Sequence, residues 1–104
     1  MRVKEYIERN GQTLKCELYY SLGGMNYFQG KNEARGYYYS VTPVKVSESN
    51  GFRTEQYTAF SGIKKLVLET KRKSDKGFQN AMKIVEETKL KETLIDYVLG
   101  KENS

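Results

Sequence analysis

Two Asn-Gly pairs, at positions 10–11 and 50–51, each lie between two segments in which apolar and polar residues alternate. Asn-Gly tolerates the positive φ angles of a type I′ turn, whose twist matches that of two paired strands. Each pair therefore predicts a β-hairpin with a two-residue turn, and the turn fixes which residues face each other. We expect the first half of the chain to form an antiparallel sheet.

The first hairpin has the better sorted pattern, because its register places apolar side chains on one face and mostly charged ones on the other. The expected cross-strand pairs are Ile7 with Leu14, Glu5 with Cys16, Val3 with Leu18, Lys4 with Glu17 and Tyr6 with Lys15. In the second hairpin they are Glu48 with Arg53, Val46 with Glu55, Val44 with Tyr57 and Val41 with Phe60. Pro43 cannot donate to a sheet hydrogen bond, so it predicts an edge, a bulge or a bend.

The segment between the hairpins, residues 21–36, holds four of the nine glycines. Such a composition is typical of a loop, and the short apolar stretch from Met25 to Phe28 is compatible with either a long excursion or a short extra strand. After Gly62, the spacing of Ile63, Leu66, Val67 and Thr70 fits a helix, with Ser61 suited to capping it. A fifth strand with Leu66 and Leu68 on one face fits as well. We favour the helix.

Helical spacing returns with Phe78, Ala81, Met82 and Val85, and Ser74 or Asp75 is suited to capping this helix. The later apolar residues are out of phase with this stripe, which predicts a bend or a break near residues 88–90, and Gly100 predicts the helix end. The expected fold class is α+β: an antiparallel sheet of four to five strands with C-terminal helices packed on one face. Residues 1–100 would form a single domain and 101–104 a frayed tail.

The composition argues against several classes of function. The chain has no His and one cysteine, Cys16, so it lacks the usual pieces of a metal site or a Cys/His nucleophile. No catalytic motif is present, and we expect a non-enzymatic protein with no catalytic residues, no metal, no cofactor and no evident small-molecule substrate. No apolar run is long enough to span a membrane and the N-terminus is charged, which predicts a cytoplasmic protein without a membrane partner.

The protein has a net charge of +5, and the excess of basic residues is concentrated between residues 64 and 76. The basic residues of this part of the chain are Lys64, Lys65, Lys71, Arg72, Lys73 and Lys76. On a helix, Lys64, Lys65, Lys71 and Arg72 would share one arc opposite the apolar stripe, an arrangement suited to phosphate contacts. A solvated helix face that keeps the protein soluble is an equally good interpretation.

Tyrosines provide the second candidate site. Tyr37, Tyr38 and Tyr39 follow one another, so a regular strand must place Tyr38 on the face opposite to the other two. Val44 and Val46 favour Tyr38 in the core, which leaves Tyr37 and Tyr39 exposed and able to stack on bases. The alternative interpretation is a half-buried sheet whose phenolic tips lie in water.

Two stretches, "GGMNYFQGKNEARGYYYSVTPV" and "YTAFSGIKKLVLETKRKS", resemble small uncharacterised accessory proteins of conjugative and other mobile genetic elements of Firmicutes. They cover less than half of the chain and contain no enzymatic motif. The resemblance implies a bacterial cytoplasm and proximity to transferred DNA, and it carries no activity onto particular residues.

The leading hypothesis is a small basic protein that contacts nucleic acid, single-stranded or without sequence preference, through the Lys/Arg cluster and exposed Tyr37 and Tyr39. The alternative is a protein-interaction or inhibitory accessory module that presents an open aromatic sheet face to another protein or to a second copy as a homodimer.

Overall fold

The computed structural model describes residues 3–26, 30–57 and 62–102. Within these ranges the chain forms strands first and helices last. The strands are β1 (Val3–Arg9), β2 (Gln12–Ser21), β3 (Gly24–Asn26), β4 (Lys31–Glu33), β5 (Gly36–Ser49), β6 (Phe52–Tyr57) and β7 (Ile63–Glu69). The helices are α1 (Asp75–Thr88) and α2 (Leu90–Glu102).

Both Asn-Gly hairpins form in the expected registers. Asn10 and Gly11 have φ angles of 55° and 76°, and Asn50 and Gly51 have 53° and 81°, as a type I′ turn requires. All five expected pairs of β1 with β2 are confirmed, as are the three expected pairs between β5 and β6. The predicted pairing of Val41 with Phe60 lies outside the described residues.

Strand β5 is the centre of the five-stranded sheet. On one side, β2 pairs with residues 36–44 of β5; on the other, β7 pairs with residues 36–41 and β6 with residues 44–49. Pro43 therefore lies where β5 changes partner, a position at which the missing N–H costs little. This explains how a proline is tolerated in a central strand.

The prediction of a helix after Gly62 is wrong, because residues 63–69 form strand β7 against β5. A register shift opposite Tyr37 and Tyr38 places both Val67 and Leu68 against the core. Two consecutive core residues interrupt the alternation of the strand, so the spacing of its apolar residues resembles that of a helix. Gly36 permits the close approach, since a Cβ there would lie 2.3 Å from the Leu68 carbonyl oxygen.

Between the hairpins, β3 and β4 form a separate two-stranded ribbon. Of the two alternatives for the glycine-rich segment, the short extra strand is confirmed for residues 24–26. The remainder of the predicted apolar stretch, Tyr27 and Phe28, lies outside the described residues.

Helices α1 and α2 pack on one face of the sheet, which confirms the α+β fold class. Ser74 caps α1 by accepting a hydrogen bond from the Gly77 N–H, and the bend falls at Lys89 in a left-handed conformation. Gly100 does not end α2, which continues to Glu102. In the described part of the chain, neither helix is long and apolar enough to cross a membrane.

The main core lies between the helices and this sheet face. Its buried members are Leu14, Cys16, Leu18, Tyr37, Tyr39, Val41, Ala81, Val85, Leu94, Ile95, Val98 and Leu99.

Candidate nucleic-acid interface

Tyr37 and Tyr39 do not form the exposed stacking surface that the sequence predicted. Both lie in the core beneath the helices, with 0% and 4% of their surface exposed. The alternation of β5 is regular along its pairing with β2, so the error concerns only which face the helices cover. Val44 misled the prediction because it is buried as well, but on the opposite face.

Tyr37 fastens the start of α1 to the sheet. Its hydroxyl donates to the Ser74 carbonyl oxygen at 2.8 Å and accepts from the Ser74 N–H at 3.0 Å. Its ring meets Tyr20 and Phe78 edge to face, with centroids 5.1 and 6.2 Å away. Gly77 leaves room for the ring, since a Cβ there would lie 3.1 Å from it. The residue is therefore part of the scaffold and is not available to a ligand.

Tyr38, on the other sheet face, is also covered, with 6% of its surface exposed. It stacks with Tyr19 at a centroid distance of 6.1 Å and donates a hydrogen bond of 2.6 Å to the Ala34 carbonyl oxygen. The Lys64 ammonium lies 5.3 Å from the ring centroid, a cation–π distance.

On this face the sheet is curved, so that its outer strands β1 and β6 contact each other. Tyr6 on β1 donates a hydrogen bond to the Glu55 carboxylate on β6, and the Arg53 guanidinium lies 4.8 Å from the Tyr6 ring centroid. Val44 belongs to this face, between β2 and β6, and is buried. The open aromatic face that both functional hypotheses required is therefore absent from the described part of the sheet.

The predicted basic arc is also divided, because its residues are not on one helix. Lys64 and Lys65 are neighbours on β7 and point to opposite faces. Lys64 is committed to an ion pair with Glu33, at 2.7 Å, whereas Lys65 lies on the helix side of the edge strand, opposite Tyr39. The expectation that both would lie in one basic arc depended on the predicted helix.

The five cations other than Lys64 are exposed. We call Lys65, Lys71, Arg72, Lys73 and Lys76 the basic segment. Among the described residues, none of the five forms an ion pair with a carboxylate. Six other cations do form such pairs: Arg9 with Glu92, Lys15 with Glu17, Arg53 with Glu55, Lys64 with Glu33, Lys83 with Glu87 and Lys91 with Glu5.

The backbone that carries Lys71, Arg72 and Lys73 is held at both ends by hydrogen bonds. At the end of β7, the Thr70 N–H donates to the Arg35 carbonyl oxygen at 3.0 Å, and the Tyr20 hydroxyl donates to the Thr70 carbonyl oxygen at 3.1 Å. At the start of α1, Ser74 is held by Tyr37. These partners are distant in sequence and could not have been assigned from pattern alone. They fix the backbone between Thr70 and Ser74, while the cationic side chains stay exposed.

No protein-family model matches the chain, and comparisons with curated proteins and with solved structures find no significant similarity.

Proposed function

We propose that the protein binds the phosphate backbone of nucleic acid, without sequence preference, through the basic segment. The observation that carries this proposal is a set of five exposed cations that form no ion pair within the described residues. Three of them, Lys71, Arg72 and Lys73, lie on a short stretch of backbone that is fixed by tertiary hydrogen bonds. Each Lys or Arg that replaces a condensed counterion on a phosphate adds salt-dependent affinity. A fixed backbone lowers the entropy lost when several such contacts form together.

Contacts to phosphates rather than bases follow from the residues near the segment. Residues 63–76 contain no aromatic side chain, and the nearby Tyr37 is buried. Stacking, which supplies much of the affinity for single strands, therefore has no support at this site. We expect duplex and single-stranded oligonucleotides to bind with similar affinity, with positioning contacts but no reading of base sequence.

Two variants with the same net charge test the location of the site. The first replaces Lys71, Arg72 and Lys73 with Gln; the control replaces Lys31, Lys45 and Lys83, which are exposed and lie elsewhere. Fluorescence anisotropy with labelled oligonucleotides at about 50 mM salt should show at least a tenfold weaker affinity for the first variant and less than about a threefold change for the control.

Equal losses in the two variants would mean that net charge alone, and not this surface, attracts the oligonucleotide. If the unmodified protein shows no binding at concentrations of tens of micromolar, the proposal is wrong.

A second candidate function, interaction with another protein, is supported by the β5–β6 hairpin. Beyond Val44, where pairing with β2 ends, residues 45–56 continue as a two-stranded ribbon. Phe52 at its tip is 76% exposed, and Val46 is also exposed. Lys45, Glu48, Arg53 and Glu55 give the ribbon no net charge, so an apolar contact with a protein suits it better than contact with a polyanion.

Light scattering coupled to size exclusion tests the self-associating form of this candidate. A concentration-dependent dimer that is lost in Phe52→Ser would support it. A monomer at every concentration would exclude self-association through the ribbon.

A further inference from the structure

A cavity of about 300 Å³ lies between the start of β1 and the junction of α1 and α2. Its apolar lining residues are Val3, Tyr39, Met82 and Val85. Its charged lining residues are Glu5, Glu86, Lys89, Lys91 and Glu92, of which Glu5 and Lys91 pair with each other. We call this space the elbow cavity.

The cavity lies at the bend at Lys89. Its helical lining comes from Met82, Val85 and Glu86 of α1, before the bend, and from Lys91 and Glu92 of α2, after it. Val3 at the start of β1 is exposed and does not fill the cavity. A lining of mainly carbon atoms gives bound water few partners, so an apolar occupant is favoured over water.

The charged groups around the elbow cavity have no net charge, because Glu86 and Lys89, which also line it, carry opposite charges. Glu5 is paired with Lys91, and both guanidinium nitrogens of Arg9 donate to Glu92, at 3.0 and 3.2 Å. At the base, the Tyr39 hydroxyl lies within hydrogen-bonding reach of the Cys16 thiol. Burial raises the pKa of that thiol to about 11 and raises the pKa of Tyr39, so both groups remain neutral near pH 7. Neither a cationic nor an anionic ligand gains a strong partner here.

We propose that the elbow cavity binds a compact, uncharged and mostly apolar ligand, about the size of a bicyclic aromatic ring. Its volume lies at the lower end of the range for small-molecule sites, which are typically concave and apolar with a few polar groups. The site is separate from the basic segment, and ligand binding there does not depend on the proposed contact with nucleic acid.

Three related probes test the site: indole, indole-3-acetate and tryptamine, which are neutral, anionic and cationic. Each is titrated into isotope-labelled protein, and amide chemical shifts are followed together with contacts between ring protons and the methyl groups of Met82 and Val85. We expect indole to bind with a dissociation constant of about 1 mM or tighter. The shifts should be concentrated around the elbow cavity, with the β5–β6 hairpin unchanged.

Met82→Phe fills the elbow cavity and should weaken indole binding at least about fivefold. Ile84→Phe makes the same kind of change two residues along α1, outside the lining, and should leave affinity unchanged. If Met82→Phe fails to fold, Val3→Phe closes the cavity from the exposed edge strand and provides the same comparison.

Absence of shifts at about 10 mM indole, or equal affinity in the filled variants, would overturn the proposal. Binding of only one charged probe would overturn the assignment of an uncharged ligand.

Discussion

The tyrosines of β5 and the cations of the basic segment are close in space but have different roles. Tyr37 is fully buried and holds Ser74, whereas Lys73 and Lys76 on either side of Ser74 are exposed and form no ion pair with the residues that the structure describes. Composition suggested a single surface of aromatic and basic residues. In the fold, the aromatic residues build the support and the cations occupy its surface. A residue type common at binding sites is thus used here for stability.

The largest expected effect on stability is at Tyr37, and it tests the structural role of the buried tyrosines. Tyr37→Ala removes a buried ring and both bonds to Ser74, and should lower the free energy of unfolding by about 3–5 kcal/mol. Tyr37→Phe keeps the ring and should cost about 1–2 kcal/mol, because it leaves the Ser74 N–H without its partner. Urea unfolding followed by circular dichroism measures both. A loss below about 1 kcal/mol for Tyr37→Ala would contradict the structural role.

A smaller loss is expected where β7 approaches β5. Gly36→Ala introduces a Cβ that collides with the Leu68 carbonyl oxygen and should lower the free energy of unfolding by about 1–3 kcal/mol. Gly100 has open space around it and lies within α2, so Gly100→Ala should be neutral or stabilise by up to about 1 kcal/mol. Equal effects in thermal unfolding would show that β7 is not packed as described.

Lys89 offers a test in which a cation outside the basic segment is removed. It adopts φ 54°, a conformation that glycine accepts without strain, so Lys89→Gly should stabilise the fold by about 1 kcal/mol. Lys83→Gly, within α1, should instead destabilise by about 1 kcal/mol. Oligonucleotide affinity should change little in either folded variant. A loss as large as that of a basic-segment variant would remove the distinction between the two groups of cations.

The effect that is smallest near neutral pH concerns Cys16. Because the pKa of its thiol is raised in the folded state, the folded protein holds this proton more tightly than the unfolded chain. Its contribution to stability is complete below pH 9 and is lost as the pH rises toward 11. The urea midpoint should therefore fall less between pH 8 and pH 10 in Cys16→Ala than in the unmodified protein. An identical fall in both would contradict the shift.

The parts of the fold that the sequence predicted well are those set by neighbouring residues. The registers of both hairpins follow from Asn10-Gly11 and Asn50-Gly51, and the α1 cap and the bend follow from local patterns. For residues 63–69 the helix was wrongly favoured over the alternative of a fifth strand, because the strand character of β7 depends on β5, more than twenty residues earlier, and on a register shift. The exposure of the tyrosines was mispredicted because both faces of β5 are covered, so alternation alone could not identify the helix side.

The same contrast explains what could be predicted of the candidate site. Clustering of the cations was visible in the sequence. The ion pair of Lys64 with Glu33 was not, because Glu33 lies on the ribbon strand β4, which is distant in sequence. The hydroxyl groups of Tyr20 and Tyr37 were also invisible as supports of the segment, since their backbone partners have no sequence signature.

The salt dependence of duplex binding tests the central claim most directly, because it counts phosphate contacts. With five cations engaged, the logarithm of the binding constant should fall with the logarithm of salt concentration with a slope of about −4.5. Replacing Lys71, Arg72 and Lys73 with Gln should reduce the slope to about −2, while replacing Lys31, Lys45 and Lys83 should leave it near −4.5. The same slope in all three proteins would show that the basic segment does not contact the phosphates.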